Sequence, residues 1–482
     1  MSESSKTGSQ PAQGRQNIIV VGAGIFGLSL ATELHERGYR VTVLERNRYD
    51  QTAYDPLDAS TENAASVDHN KIFRASYGKK LHYQRLAFEA RQRWLELNEQ
   101  ADTPLFSACG MLRVQPSNTL DALEQETLRN MTRDGIRSSQ FVEGEEEDAN
   151  RAEAQGWAHK LLRFDLRQQD ERSEDEEAQG YNGHCFAATL DSTAGFISSS
   201  EACRYFQRRA EALGVHFRFG VQVQALLQQQ QAHPNAPRVV RGVLLSSGQE
   251  IACDQVIVAC GSSSTQLFPA LSYHVESSAG SVAAFQLDAV RDAALWEKYA
   301  AERFPVITWK SAVRDGEGRD TGSVYVLPRT KEGVIKIGYR GVKYTNFQAA
   351  PDSAYSQKGQ WSIPLPSVSS HIIPRQSTSS IRTFVQLFLP ELAQRPFAWT
   401  KLCWYTDSLD NEFVVDRPPK EEWSGVFVCT GGSGHGAKFL PVLGKVRAEG
   451  VMKSFWRWRE DKPRGNGLDE GPDGDRNLNR AT

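Results

Sequence analysis

Gly22, Gly24 and Gly27 stand in the spacing G-x-G-x-x-G, directly after the apolar run Ile18-Ile19-Val20-Val21 and before a stretch with Leu28, Ala31 and Leu34 at intervals of three. Strand, glycine turn and helix in that order cradle a pyrophosphate. One glycine makes the tight turn, one lets the backbone approach the phosphates, and one lets the helix pack on the strand. The helix start, through Ala23, Ile25 and Phe26, adds free N–H groups and the positive end of its dipole. Gly38 ends the helix, and a second strand from Arg40 to Leu44 stops at Glu45, followed by Arg46. An acid at that point accepts hydrogen bonds from ribose hydroxyls and favours FAD or NAD over NADP.

Other residues with chemical potential are scattered along the chain. Cys403 lies beside Trp404 and Tyr405, where a cysteine is either buried and inert or reactive. Lys336 interrupts an apolar run, Val334 to Ile337; such a lysine either snorkels outward or is held inside for a purpose. Lys438 follows the turn Gly431-Gly432-Ser433-Gly434-His435-Gly436 and reads equally as a phosphate ligand or a surface lysine. The strand Gln255 to Gly261 ends in small residues, among them Ala259 and Gly261, as suits a backbone that runs up to a cofactor. Val221 and Val223 are placed to line the adenine side.

Composition narrows the class. The net charge of −3 gives no electrostatic case for a nucleic-acid partner. Seven cysteines, an odd number without a C-x-x-C pair, argue against a disulfide framework and a zinc ribbon. With no metal-ligand pattern, no metal is expected. No apolar run is long enough for a membrane span, and no charged-then-apolar leader opens the sequence. An intracellular, cytoplasmic monomer is expected. The last residues, Asn-Arg-Ala-Thr, are not the peroxisomal tripeptide.

The elements that must hold these residues read as α/β plus α+β. A Rossmann-like domain, discontinuous in sequence, is expected over 17–100, 191–265 and 401–460, and a substrate domain on a largely antiparallel sheet over 101–190 and 266–400. Residues 80–100 and 198–213 read as helices, 105–114 as a strand pair turning at Gly110, and 215–227 as one strand. Residues 239–253 read as a hairpin, and a helix is expected to run from the turn 431–436 to about Phe455. The acidic stretch 143–177 reads as a solvated insertion, and residues 1–16 and 461–482 as disordered.

Four further stretches carry a resemblance: Asp68 to Gly78, Glu332 to Tyr339, Lys401 to Asp407, and Gly431 to Phe439. In this order they resemble the FAD-dependent amine oxidases of the monomeric sarcosine oxidase type, most of all the fungal branch of fructosyl amino acid, saccharopine and pipecolate oxidases. The resemblance implies an FAD-binding domain and a thioether from Cys403 to the flavin. It implies Lys336 as the residue that promotes reaction with oxygen and Tyr405 lining the substrate site. Arg74 and Lys438 would clamp a substrate carboxylate. Asn70, Lys71, Gly434, His435, Gly436 and Lys438 would lie at the cofactor, with His435 not the general base. Arg340 departs from the pattern. Sarcosine oxidases place a histidine there and fructosyl amino acid oxidases an acid, so neither substrate is expected. An arginine suits a second anionic group on the substrate or a structural salt bridge. The implied activity is oxidation of a secondary amine or N-substituted amino acid to an imine with release of hydrogen peroxide, in a setting such as fungal secondary metabolism. A flavin amine dehydrogenase or demethylase with another electron acceptor, and an NAD-dependent dehydrogenase, are the alternatives.

Overall fold

The computed structural model of the protein describes residues 15–57, 64–164, 186–228, 239–310, 323–446 and 450–480. Residues 1–14 of the expected disordered N-terminus and 165–177 of the acidic stretch fall outside them.

The elements that build the site are, in chain order, β1 (Asn17–Val21), α1 (Ile25–Glu36), β2 (Arg40–Glu45), β3 (Lys71–Phe73), α2 (Leu81–Asn98), β4 (His216–Phe219) and β5 (Gln255–Val258). They continue with β6 (Val275–Gln286), β7 (Ser323–Val326), β8 (Val334–Tyr344), β9 (Trp399–Ser408), β10 (Val414–Asp416) and β11 (Val426–Thr430).

A six-stranded sheet runs in the order β10-β11-β5-β1-β2-β4, parallel except for β10. Its central strand β1 is buried on both faces, which is why its sequence is a continuous apolar run rather than an alternating one. Helix α1 packs on it through Leu28 and Ala31, both fully buried. Gly27 permits that contact, because a Cβ there would drive into the Gly22 carbonyl. Glycine is also needed at position 22. Its φ of +106° is left-handed, and a Cβ would stand 2.6 Å from the Ala259 carbonyl oxygen.

The second large sheet has eight strands in the order β9-β6-β8-β7, then Val306–Lys310, Met111–Val114, Ala188–Asp191 and Gln140–Val142. It is antiparallel except for the pair Val306–Lys310 and Met111–Val114. Its core is aromatic and aliphatic, with Trp404, Tyr339, Phe285 and Ile337 at its centre and the helix Arg375–Phe388 covering it. A smaller sheet of β3, Gly195–Ile197 and Phe106–Ser107 lies under α2.

Several local expectations change. Strand β9 belongs to the antiparallel sheet, so residues 401–408 are not part of the cofactor domain. The two strands around Gly110 do not form a pair. Phe106–Ser107 joins the small sheet, and Met111–Val114 joins the large one. Residues 215–227 break at Gly220, with φ +69°, into β4 and Val223–Gln228, which sit in different sheets. After the glycine turn the chain makes short 3-10 turns at Ala437–Phe439 and Leu443–Lys445, and the helix is confined to Val451–Trp456. Part of the acidic stretch is an ordered helix, Glu146–Ala154, tied down by Asp148 to Arg137 and Arg151.

The C-terminal stretch is the largest correction. Its polar, glycine-rich composition suggests disorder, yet residues 461–480 pack against both sheets' connections. The anchors are arginines. Arg459, fully buried, forks onto Asp410 at 2.8 and 3.0 Å and donates to the carbonyls of Glu412 and Phe413. Arg476 reaches Glu276 at 3.2 Å and the Lys343 carbonyl at 2.7 Å, and Arg464 donates to the carbonyls of Ser272 and Leu468. Specific charge-assisted bonds, together with the buried Leu468 and Pro472, hold this strap, and a composition-based reading passes them over. Replacing Arg459 by Ala leaves Asp410 and two buried carbonyls short of partners. A loss of about 3–5 kcal/mol is expected, read as a fall in the midpoint of chemical unfolding.

Candidate functional site

A cavity of about 360 Å³ is lined by both large sheets. Val21, Gly22, Gly24, Ile25 and Phe26 form one part of its wall, with Glu45 and Arg46 from the end of β2. Val221, Val223, Ala259 and Gly261 continue it, and Lys71, Cys403, Tyr405, Thr406, Gly434 and Gly436 complete it. Most of the residues expected at a cofactor therefore meet in one place, although they come from segments far apart in sequence.

The wall is built to receive a dinucleotide. The N-cap of α1 is Gly24, which gives no side-chain cap to the first turn, so those N–H groups are free for phosphate. Glu45 is pinned by two backbone donors, Ala23 N–H at 2.8 Å and Asn47 N–H at 2.9 Å. Burial raises its carboxyl above the ordinary range, and the two N–H donors oppose that shift. The Thr406 hydroxyl is buried in the wall and makes no hydrogen bond. Phe26 packs on the turn at Gly432 and Gly436, where a Cβ would meet its ring at 3.5 and 2.7 Å. These glycines let α1 and the 431–436 turn close on the same space, and the residues present fit FAD.

Beside Cys403 lies a buried group of charges. Lys336 extends from β8, 1% exposed, and donates to Asp68 Oδ1 at 2.7 Å and to the Asn70 carbonyl. Lys71 donates to the other oxygen of Asp68 at 2.9 Å. Burial lowers Lys336 to about 8, with Asp68 working in the opposite direction. Burial would raise Asp68, but the surrounding ammonium groups of Lys336, Lys71 and Lys401 outweigh it and hold the carboxyl far below its usual range. Lysine and aspartate are thus both charged at neutral pH. Cys403 is half-buried and within electrostatic reach of Lys71 and Lys336.

The expected carboxylate clamp gathers around Tyr77. The Arg74 guanidinium lies 4.7 Å from the ring centroid and the Lys438 ammonium 4.8 Å. Lys438 donates to the Tyr77 hydroxyl at 2.9 Å. Burial, then the charges of Arg74 and Arg340, push Lys438 well below its ordinary value. The bonds beyond Tyr77 have defined directions. His435 Nε2 faces the Asn411 carbonyl at 3.1 Å, which only accepts, so Nε2 carries the proton. Its Nδ1 then accepts from the Tyr77 hydroxyl at 3.1 Å. With both nitrogens committed and its ring packed among Tyr83, Phe413 and Phe439, His435 does not reach the cavity wall. Only the flanking glycines Gly434 and Gly436 line the wall there.

Other expected residues take indirect places. Ala23 acts through its N–H on Glu45, and Gly27 through helix packing. Asn70 does not line the cavity, and its buried side-chain amide makes no hydrogen bond. Arg340 donates to the Gly434 carbonyl and to the Tyr405 hydroxyl, both at 3.2 Å. Three residues that sequence reasoning gave no role also stand here: Asp68, Tyr77 and Tyr325. Tyr325 lies over Gly338, where a Cβ would overlap its ring. A signal for Asp68 existed, because an inward-facing lysine requires an acid partner and Asp68 heads the stretch that carries Asn70 and Lys71.

Comparison with known proteins shows the family and the fold. The model of the family DAO, FAD dependent oxidoreductase, matches residues 17–449. The L-saccharopine oxidase of Schizosaccharomyces pombe is 26% identical over 467 residues, covering 92% of this chain and 94% of that protein. The amino acid oxidase imqH of Aspergillus flavus is 24% identical, over 91% and 93% of the two chains. A modified fructosyl peptide oxidase from Aspergillus nidulans shares the fold, with a TM-score of 0.73 at 23% identity over 98% of this chain and 99% of that one. From the glycine turn at Gly22 to the connection beyond Lys445, the chain belongs to the FAD-dependent oxidoreductases.

Proposed function

We propose that this FAD-dependent oxidoreductase oxidises a secondary amine or N-substituted amino acid to an imine and passes the electrons to oxygen, giving hydrogen peroxide. The observation that carries this reading is the buried ammonium of Lys336, kept charged by Asp68 beside Cys403 and the cavity. Relatives named as saccharopine and amino acid oxidases support the same class.

Bound FAD supplies the two-electron acceptor for the substrate C–H bond and the donor to oxygen. Gly22 to Gly27, Glu45, Arg46, Val223, Ala259, Gly261 and the turn Gly434 to Gly436 would hold it, with Cys403 attached to the flavin as a thioether. Arg74 and Lys438 bind the substrate carboxylate around Tyr77, and the bond from Tyr77 to His435 fixes where Lys438 points. Tyr405 closes the wall above the substrate. Lys336 offers a fixed positive charge where negative charge develops on oxygen, in a site that water does not screen. Asp68 and Asn70 hold that charge in place. A dehydrogenase of the same fold with another acceptor would have no use for it.

Two measurements test the reading. Acid precipitation of the purified protein is expected to carry yellow colour into the pellet, and C403S should release it to the supernatant; colour in the wild-type supernatant would remove the thioether. In stopped-flow reoxidation, K336M is expected to slow the oxygen step at least about a hundredfold, within the range for removing one preorganised electrostatic group, while leaving the amine step much less affected. The sign of the pH effect follows from the charge. The ammonium form of Lys336 exists below about 8, so reoxidation should decline as pH rises through that value. Because Asp68 raises Lys336, D68N should move the decline to lower pH, and K336M should abolish it. Equal losses in both half-reactions would count against an oxygen-specific role.

A further inference from the structure

Two separate cation centres border the site, each propped on a tyrosine. Around Tyr77 stand Arg74 and Lys438. Around Tyr405 stands Arg340 alone, its guanidinium 5.0 Å from the ring centroid. We infer that Arg340 forms a second anion subsite, so that the substrate is an N-substituted amino acid bearing a second carboxylate. The inference rests on the oxidase reading above and narrows its substrate class.

Three observations support it. The first is hydrogen-bond supply. A guanidinium has five N–H donors, and Arg340 spends one on the Gly434 carbonyl and one on the Tyr405 hydroxyl. The remaining donors, a planar set suited to a carboxylate, find no acceptor among the described residues. The second is charge. Neither Arg340 nor Lys438 has an ion pair among the described residues, although Lys438 is only 2% exposed. The nearby carboxylates are committed elsewhere: Asp407 to Lys343 at 3.0 Å, and Glu412 to Lys80 at 2.8 Å and His82 at 3.0 Å. Asp407 attracts Arg340 from beyond ion-pair distance, but its two oxygens are taken by Lys343 and Ser278, so the guanidinium has no carboxylate of its own among the described residues.

The third observation is the space made for the guanidinium. Arg340 leaves β8 next to Gly280 of β6, where a Cβ would stand 3.6 Å from its Cγ and 3.7 Å from the Tyr405 ring. On the other side lies Gly434, where a Cβ would collide with the guanidinium itself. Glycines on two elements thus hold the group against the cavity wall residues Tyr405 and Gly434. A salt bridge confined to the fold would need a carboxylate partner, and none is within ion-pair distance among the described residues.

The second carboxylate can sit on the nitrogen substituent or on the amino-acid side chain, and paired compounds separate these. N-(3-carboxypropyl)glycine against N-butylglycine tests the first, and N-methylglutamate against N-methylglutamine the second. In at least one pair the acid is expected to exceed its neutral partner in kcat/KM by roughly 10- to 100-fold, as befits a charge-assisted hydrogen bond in a desolvated site. That ratio should collapse in R340Q and be partly retained in R340K. Thioether analogues with one or two carboxylates, titrated calorimetrically, should show the same preference in affinity and its loss in R340Q. Equal preference in the wild type, or a loss in R340Q shared equally by acid and neutral partner, overturns the second subsite. Anaerobic bleaching of the flavin by the neutral compounds, followed by peroxide release on admitting oxygen, would then still uphold the oxidase reading. If no compound of either pair bleaches it, the reading and this inference fall together.

Discussion

The carboxylate of Asp68 is the pivot of this molecule. It comes from the segment leading into β3 and takes Lys71 from the start of that strand and Lys336 from the large antiparallel sheet. Separated by 268 positions in sequence, Asp68 and Lys336 join the two halves of the protein at a point from which water is excluded. Such a group is not a general source of stability, because desolvation offsets much of its attraction. Its value lies in specificity. The segment 68–71 is held against β8 where both lysines and the acid are satisfied, and this carries Lys71 to the cavity wall that also holds Cys403 and Tyr405.

The same logic of paired and unpaired charge runs through the rest of the site. Asp410, Glu276 and Asp407 are engaged by Arg459, Arg476 and Lys343. These pairs hold the strap and the sheet ends. Lys438 and Arg340 lack ion-pair partners among the described residues; Arg340 lies behind the wall residues Tyr405 and Gly434, and Lys438 follows the wall residue Ala437. Charge balanced internally is architecture; the unbalanced guanidinium of Arg340 is the feature on which the proposed second anion subsite rests.

The parts of this arrangement that were legible in the sequence are those written in short range. Gly22, Gly24, Gly27 and Glu45 belong to one strand-turn-helix-strand unit, whose period and glycine spacing follow from local sterics. Lys336 was conspicuous because an apolar strand seldom carries a lysine. Its acid was not, since pairing across the chain leaves no periodic trace. The roles of Tyr77 and Tyr325 depend on which strand faces which, a property of sheet order rather than of spacing. Residues 401–408 read with the cofactor domain for a related reason: alternation shows that a strand exists but not that its neighbour is β6. The C-terminal strap was missed because arginine and glycine composition is the same whether the arginines meet water or buried carbonyls.

The six-stranded sheet has a consequence for how the protein comes into being. Its central strand is made at Asn17–Val21, but the neighbours on one side arrive only with Gln255–Val258 and then Val426–Thr430. The strand Asn17–Val21 therefore keeps one apolar edge unpaired until Gln255–Val258 is made, and that strand in turn waits for Val426–Thr430. Topologies dominated by such distant pairings fold slowly and expose aggregation-prone edges meanwhile. The nucleotide cradle is complete only once Gln255–Val258 and Val426–Thr430 have joined Asn17–Val21, and a ligand that binds there draws the chain toward that closed sheet.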